Sequence, residues 1–416
     1  MSALSEAAPR VLYVVYWGAA EPLGQSLVLP AVLCMAEAGI RLTLVTFDKP
    51  ADFHDRERMG AIRERLTASG VRWIALKYHK RPRLPATTYD VLHGWSRGVL
   101  SALQEPPDIV HARTFIGGTI GLALAPALRA KLIYHNEGFY PDEQVDGGFW
   151  AQGSALHRAS SAIERRLYAR ADGLVALSRR AQQVLEGLPA VQRRATPVVV
   201  VPSCVDLERF VLRRARPPSR PEEVHFVYMG AVGGRYILDR VGRFLAVAAS
   251  ELGRVQLRVL SRADPALVES MLASSGLPRE AWSLDYLPHE VMPEELSRQD
   301  AGLFFLTQGL SEHGCSPTKV GEYWASGLPV VTTPNVSDID ELVLRHRAGV
   351  VVTEHSDAAY RKAAVQLREL LADPDTPRRC REAAEGYYAL RAACERQVAL
   401  YHQLVSLGRK RERRPA

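Results

Sequence analysis

An apolar run that stops at a glycine or a polar loop, then a helix, then another apolar run: this alternation recurs along the chain and restricts its fold more than any other feature. VLYVVYW at 11–17 is apolar and aromatic throughout and ends at Gly18, the pattern of a parallel strand buried on both faces. The loop GAAEPLGQS leads into the apolar helix LVLPAVLCMAEAG, closed at Gly39, and the strand RLTLVTF follows. A helix over 55–68 and the short strand VRWIAL complete a β-α-β-α-β series. The runs PDIVHAR, KLIYHNEG, DGLVALS and TPVVVVPS extend it, with helices expected over 90–103 and 155–170 and across IGGTIGLALAPALRA.

The series then restarts. FVLRRARPPSRPEE, rich in Pro and Arg, reads as a linker. Beyond it come VHFVYMG, VQLRVLS, WSLDYL, AGLFFLT, PVVTTPN and AGVVVT, again separated by helical stretches. The spacing predicts an α/β protein of two Rossmann-like halves with parallel sheets and a cleft between the lobes. The expected boundaries are 1–205 for the first half, 206–222 for a linker, 223–385 for the second half, 386–406 for a final helix crossing back, and 407–416 for a basic tail. No GxGxxG follows the first strand, so no dinucleotide cofactor is expected.

Composition narrows the class. With 416 residues, 47% hydrophobic and 24% charged, the chain suits two globular domains. It has no apolar run of membrane-spanning length, and MSALSEAAPR lacks the basic and apolar regions of a signal peptide, so a cytoplasmic protein is expected. Cys34, Cys204, Cys315, Cys380 and Cys394 form no CxxC and read as reduced thiols. The formal charge of +7 favours acidic partners such as phosphates or an anionic lipid surface. Cations gather at Lys77, Lys80, Arg81 and Arg83, with Trp73, Tyr78 and Tyr89 nearby. No nucleic-acid module surrounds them, so an acceptor mouth or a contact with the inner face of the plasma membrane is expected, and no nucleic acid.

SEHGCSPTKVGEYWASGLPVVT at 311–332 carries the sharpest functional signal. Ser316 suits an N-cap, Pro317 the first helical position, and Gly327 with Pro329 the end of a helix of about three turns. Lys319 then falls in the first turn, where the helix dipole disfavours a cation unless an anion compensates. Glu322 shares its face. The plainer alternative is a capped core helix with Lys319 and Glu322 at the surface. After the strand VHFVYMG, Gly230, Gly233 and Gly234 allow backbone to approach a phosphate, whose charge Arg235 would offset; a turn needing positive φ is the alternative.

SPTKVGEYWASGLPVV resembles the donor-binding motif of GT-B glycosyltransferases of family 4. VPSCVDLERF, FVYMGAVGGRY, the YHKRP loop and NEGFYPDEQVDGGFW extend the similarity over most of residues 10–405. The resemblance implies transfer of a sugar from a nucleotide diphosphate sugar to an acceptor hydroxyl, with retention, no cofactor beyond that co-substrate, and a sugar, lipid-linked or natural-product acceptor. It also implies that Glu322 binds the donor ribose, while Lys319 and the backbone amides of Thr318 and Lys319, with Ser316 and Pro317 beside them on the donor side, hold the diphosphate. Arg262 lies directly after a strand and joins Arg235 as a candidate for donor charge; Tyr286 and Leu287 would touch the base. Gly18 and Gln25 line the first loop, which would face both substrates, Gly18 toward the donor and Gln25 toward the acceptor. His111 and His135 both end strands, with His135 the better candidate for the donor sugar, and Glu137, Asp142 and Glu143 would orient the acceptor.

One departure stands out. Where the family pattern carries a first glutamate, eight residues before Glu322, this chain has Gly314; Glu312 is close by but at the wrong spacing and receives no role. No DxD-like motif stands at a suitable strand end, so metal independence is expected. Two other activities fit the same residues: a non-catalytic nucleotide-sugar binder, suggested by Gly314, and a sugar-nucleotide epimerase. Cell-envelope or exported polysaccharide synthesis is the setting the resemblance suggests.

Overall fold

The computed structural model describes residues 8–212, 223–309 and 311–412. Most of the expected linker, at 213–222, and the tail at 413–416 lie outside the described residues. The chain divides into two compact units, one of residues 1–141, 152–201 and 390–416, the other of 142–151 and 202–389.

Unit 1 is built on a seven-stranded parallel sheet in the order β3-β2-β1-β4-β5-β6-β7. Its strands are β1 (Arg10–Val15), β2 (Arg41–Asp48), β3 (Arg72–Lys77), β4 (Ile109–Arg113), β5 (Lys131–His135), β6 (Gly173–Ala176) and β7 (Val198–Val200). They read as unbroken apolar runs because helices cover both faces: from Val11 to Val15, every β1 residue is buried. Unit 2 repeats the plan with six strands in the order β10-β9-β8-β11-β12-β13. These are β8 (Glu223–Met229), β9 (Arg254–Leu260), β10 (Trp282–Asp285), β11 (Ala301–Phe304), β12 (Val330–Thr332) and β13 (Gly349–Val351). In both sheets the strand order reverses once, between β1 and β4 and between β8 and β11. In open parallel sheets that reversal leaves a crevice beyond the carboxyl ends of the strands, where ligands bind.

Three local expectations change. The helix expected over 90–103 begins at Arg83, since Pro85 falls in its first turn, where a missing N–H costs nothing. It packs closely: a Cβ on Gly94 would meet Phe47 Cζ at 2.8 Å and Ile120 Cδ1 at 2.9 Å. The loop GFYPDEQVDGGFW holds a short helix, Tyr140–Asp146. Its residues 142–151 belong to unit 2, although they fall within the first half expected from sequence. The final helix, Leu390–Glu412, runs past 406 and belongs to unit 1.

Candidate functional site

In unit 2, the helix Thr318–Ala325 starts beside the reversal between β8 and β11. It is eight residues long, shorter than the three turns expected, because Pro317 and not Ser316 stands at the N-cap and Ser326 ends it before Gly327, at φ 80°. Ser316 is instead turned aside, its hydroxyl accepting a hydrogen bond from the Ser203 amide at 3.0 Å. No side chain caps the helix, so the first-turn amides keep their capacity for a ligand.

Lys319 is buried, and its Nζ has no hydrogen-bond partner. It lies over the rings of Tyr236 at 4.7 Å, Tyr228 at 4.9 Å and Phe304 at 5.6 Å. A Cβ on Gly230 would come within 3.2 Å of that Nζ, so glycine keeps the end of β8 open above the ammonium. Burial pushes the Lys319 ammonium down to about 7, with nearby Glu322 opposing the shift. A cation held by aromatic faces alone is costly in the absence of an anion.

Glu322 is buried three residues further on and accepts a hydrogen bond from His289 Nε2 at 2.9 Å. His289 is fixed in turn by Arg209, whose guanidinium reaches the ring Nδ1 at 2.9 Å and the His289 carbonyl at 3.1 Å. Neither Arg209 nor His289 was singled out by sequence, because only the fold brings them to Glu322.

Arg235 lies within the tight turn Gly233–Tyr236, in which Gly233 and Gly234 take φ of 84° and 60°. Its Nη1 lies 3.7 Å from Glu143 Oε1 and 4.0 Å from Glu312 Oε1. Glu312, which the sequence left without a role, is fully buried, with Ser311 Oγ donating to it at 3.1 Å. Glu143 thus meets Arg235 within unit 2. Arg262 and Tyr286 are exposed after β9 and β10 and bind each other, the guanidinium 4.1 Å above the ring and hydrogen-bonded to its hydroxyl. Leu287 packs at the edge of the core.

Unit 1 brings a second set of residues to its own sheet reversal. Gly18 is buried against β2, where a Cβ would meet Asp48 Oδ1 at 2.9 Å, and Gln25 donates to the Ala19 carbonyl at 2.7 Å. His135 ends β5, but His111 lies two residues before the end of β4 and not at it as expected, since the strand continues to Arg113; the two rings are bonded, Nε2 to Nδ1 at 3.1 Å. Burial holds His111 down at about 3 and His135 well below its ordinary value, and Arg113 adds to both shifts. Arg113 donates through Nε to Glu137 and lies over Trp17 at 5.3 Å. Asp142 falls in unit 2. Among the described residues no cluster of three or more His, Cys, Asp or Glu fits a metal ion, and no helix is long and apolar enough to cross a membrane. None of the five cysteines is in a disulfide.

Residues 29–209 match the sequence profile described as Glycosyltransferase Family 4. No curated protein matches the chain by sequence. Among solved structures, the chain is similar to sucrose-phosphate synthase from Thermosynechococcus elongatus, at 16% identity and TM-score 0.68, over 96% of this chain and 100% of that one. It is similar to Anabaena HepE in complex with UDP-glucose at 14% identity and TM-score 0.63, over 95% and 99%. A Listeria monocytogenes structure assigned as a UDP-N-acetylglucosamine 2-epimerase matches at 16% identity and TM-score 0.58, over 94% and 95%. Two parallel Rossmann-like sheets and the shared fold give this chain the GT-B architecture, and residues 29–209, within its N-terminal half, carry the similarity to Glycosyltransferase Family 4.

Proposed function

We propose that the enzyme transfers a sugar from a nucleotide diphosphate sugar to an acceptor hydroxyl, with retention and without a metal. The observation that carries this reading is the buried, unpartnered ammonium of Lys319 beneath Gly230, at the uncapped start of a helix. A diphosphate supplies the missing anion and accepts from the first-turn amides. Glu322, steadied by His289, suits the ribose diol, since a carboxylate accepts two hydrogen bonds. As the glycosidic bond to the diphosphate breaks, Lys319, Arg235 and the helix start oppose the charge growing on the leaving group. Buried Glu312 beside Arg235 takes over the place vacated by Gly314. His135 addresses the donor sugar, and Gln25 and Glu137 the acceptor side; His111, buried with both ring nitrogens bonded, makes no contact with it.

The test is consumption of UDP-, GDP- and ADP-sugars with a panel of acceptors in excess EDTA. The expected result is nucleoside diphosphate release that depends on acceptor and survives chelation. Acceptor-independent conversion of the sugar would instead establish an epimerase, and tight binding without turnover a binding protein. A cell-envelope or exported polysaccharide is the acceptor class that the reading favours.

The same enzyme is proposed to rest on an anionic bilayer. On the helix Arg83–Ala102 and just beyond it, Leu84, Leu92 and Leu103 are 62%, 61% and 77% exposed. Tyr89 and Trp95 are also exposed there, with Lys80, Arg81, Arg83 and Arg97 at the margins. An apolar stripe flanked by cations matches the interfacial region of anionic lipid. Sedimentation with vesicles containing phosphatidylglycerol is expected to capture wild type and to lose Leu84→Ser/Leu92→Ser by about tenfold; equal recovery of both, or no recovery of wild type, rejects the surface.

A further inference from the structure

Unit 1 buries a chain of polar groups of which the proposed transfer uses only the last. Tyr401, on the final helix, places its phenol oxygen 2.7 Å from His111 Nδ1 and 3.3 Å from Met35 Sδ. His111 Nε2 lies 3.1 Å from His135 Nδ1. Tyr401, His111 and His135 are all essentially excluded from solvent, and Tyr13 stacks on His111 with ring centroids 4.3 Å apart. At the end of the chain, His135 Nε2 has no hydrogen-bond partner and stands 3.5 Å from Glu137 Oε1.

A neutral imidazole has one N–H and one lone pair, so the proton positions of the two rings are linked. In one arrangement the phenol donates to His111 Nδ1, His111 Nε2–H donates to His135 Nδ1, and His135 keeps an N–H on Nε2. In the other, every bond runs backwards: the phenol donates to Met35, and His135 Nε2 is left with a lone pair. Two observations select the first. A thioether is a weak acceptor beside an imidazole nitrogen, so the phenol proton goes to His111 Nδ1 rather than to Met35 Sδ. At the far end, a lone pair facing the Glu137 carboxylate is repelled, whereas an N–H is attracted.

We propose that Tyr401 and His111 form a relay that fixes His135 as a neutral Nε2–H donor, making both positioning residues for glycosyl transfer. The proposal rests on the reading of His135 as the group that addresses the donor sugar. It gives that residue a definite role: with its lone pair committed to His111, His135 donates a hydrogen bond to a substrate oxygen and does not act as a general base. It also gives the last helix a part in the site, because the residue that sets the proton positions comes from it. Burial and Arg113 hold both rings neutral, so the relay carries no charge through the neutral pH range.

The deciding experiment is the ring-nitrogen NMR spectrum of the ligand-free protein labelled with ¹⁵N at histidine, between about pH 6 and pH 8. The relay predicts that His135 is protonated on Nε2 throughout and does not titrate. Tyr401→Phe, which keeps the ring and removes the O–H, is expected to populate the other tautomer at both histidines, while Met35→Leu leaves them unchanged. A wild-type His135 carrying its proton on Nδ1, or titrating in this range, overturns the proposal without recourse to any variant; so does an unchanged tautomer in folded Tyr401→Phe. UDP-glucose separates this from the assigned activity. If wild type consumes it, Tyr401→Phe should lose about five- to tenfold in kcat with little change in KM, the worth of one hydrogen bond. Failure of wild type to consume it rejects that donor, while the nitrogen shifts still decide the relay.

Discussion

Lys319→Met is expected to raise the Tm of the ligand-free protein while weakening donor binding by about a hundredfold. In the absence of an anion the lysine places an ammonium among Tyr228, Tyr236 and Phe304 with no hydrogen-bond partner, and burial pulls it from its ordinary value near 10.5 to about 7. Methionine fills similar space without the charge. The expected gain is about 2 kcal/mol, or roughly 4–8 °C in a unit of this size. The sign with pH follows from linkage. Between about 7 and 10.5 the unfolded chain holds a proton on Lys319 that the folded chain does not, so wild-type stability rises with pH across this window. Below about 7 the penalty is complete. The difference in Tm between Lys319→Met and wild type is therefore largest at or below neutral pH and shrinks as pH rises, which scanning calorimetry over that range will show. Affinity for a nucleoside diphosphate should fall by about a hundredfold in the same variant, the worth of a charge-assisted contact to phosphate. A variant that is more stable and yet inactive separates a functional lysine from a structural one.

Glu322→Ala is the second large effect. A carboxylate bonded to both ribose hydroxyls is worth about 2–3 kcal/mol, so donor affinity should drop by about 30- to 150-fold. Loss of the His289 bond complicates a simple reading of that number. The cleaner measurement is a cycle with deoxyribose. Wild type should prefer the ribonucleotide over its 2′-deoxy counterpart by about tenfold, and Glu322→Ala should not distinguish them. A preference that survives the substitution would place the ribose elsewhere.

The fold was largely legible because its strands are buried on both faces. Apolar runs such as VLYVVYW and AGLFFLT have no other stable setting in a chain that alternates them with helices, and each became a strand at the expected place. The misplaced boundaries have local causes. The helix expected from residue 90 begins at Arg83, with Pro85 harmless in its first turn; Ser316 looked like a cap and was drawn away by the Ser203 amide. In the site, Lys319 and Glu322 were readable because their spacing on one helix is a local property. Their supports were not. His289 lies 33 residues from Glu322 in sequence, and Tyr401 lies 290 from His111, so no periodicity or motif connects them. Glu312 was passed over on spacing alone, whereas its burial and its approach to Arg235 come from how the chain turns between β11 and the helix Thr318–Ala325.

The central claim is that the buried lysine at the start of that helix exists to meet a diphosphate. Calorimetric titration of UDP, GDP and ADP against the matching monophosphates, at about pH 8 in two buffers of different ionisation enthalpy, tests it most directly. The account predicts that the diphosphate which binds most tightly takes up close to one proton, that its monophosphate binds far more weakly, and that Lys319→Met loses both the affinity and the proton. Equal binding of diphosphate and monophosphate with no proton uptake, or a Lys319→Met variant that binds like wild type, would contradict it.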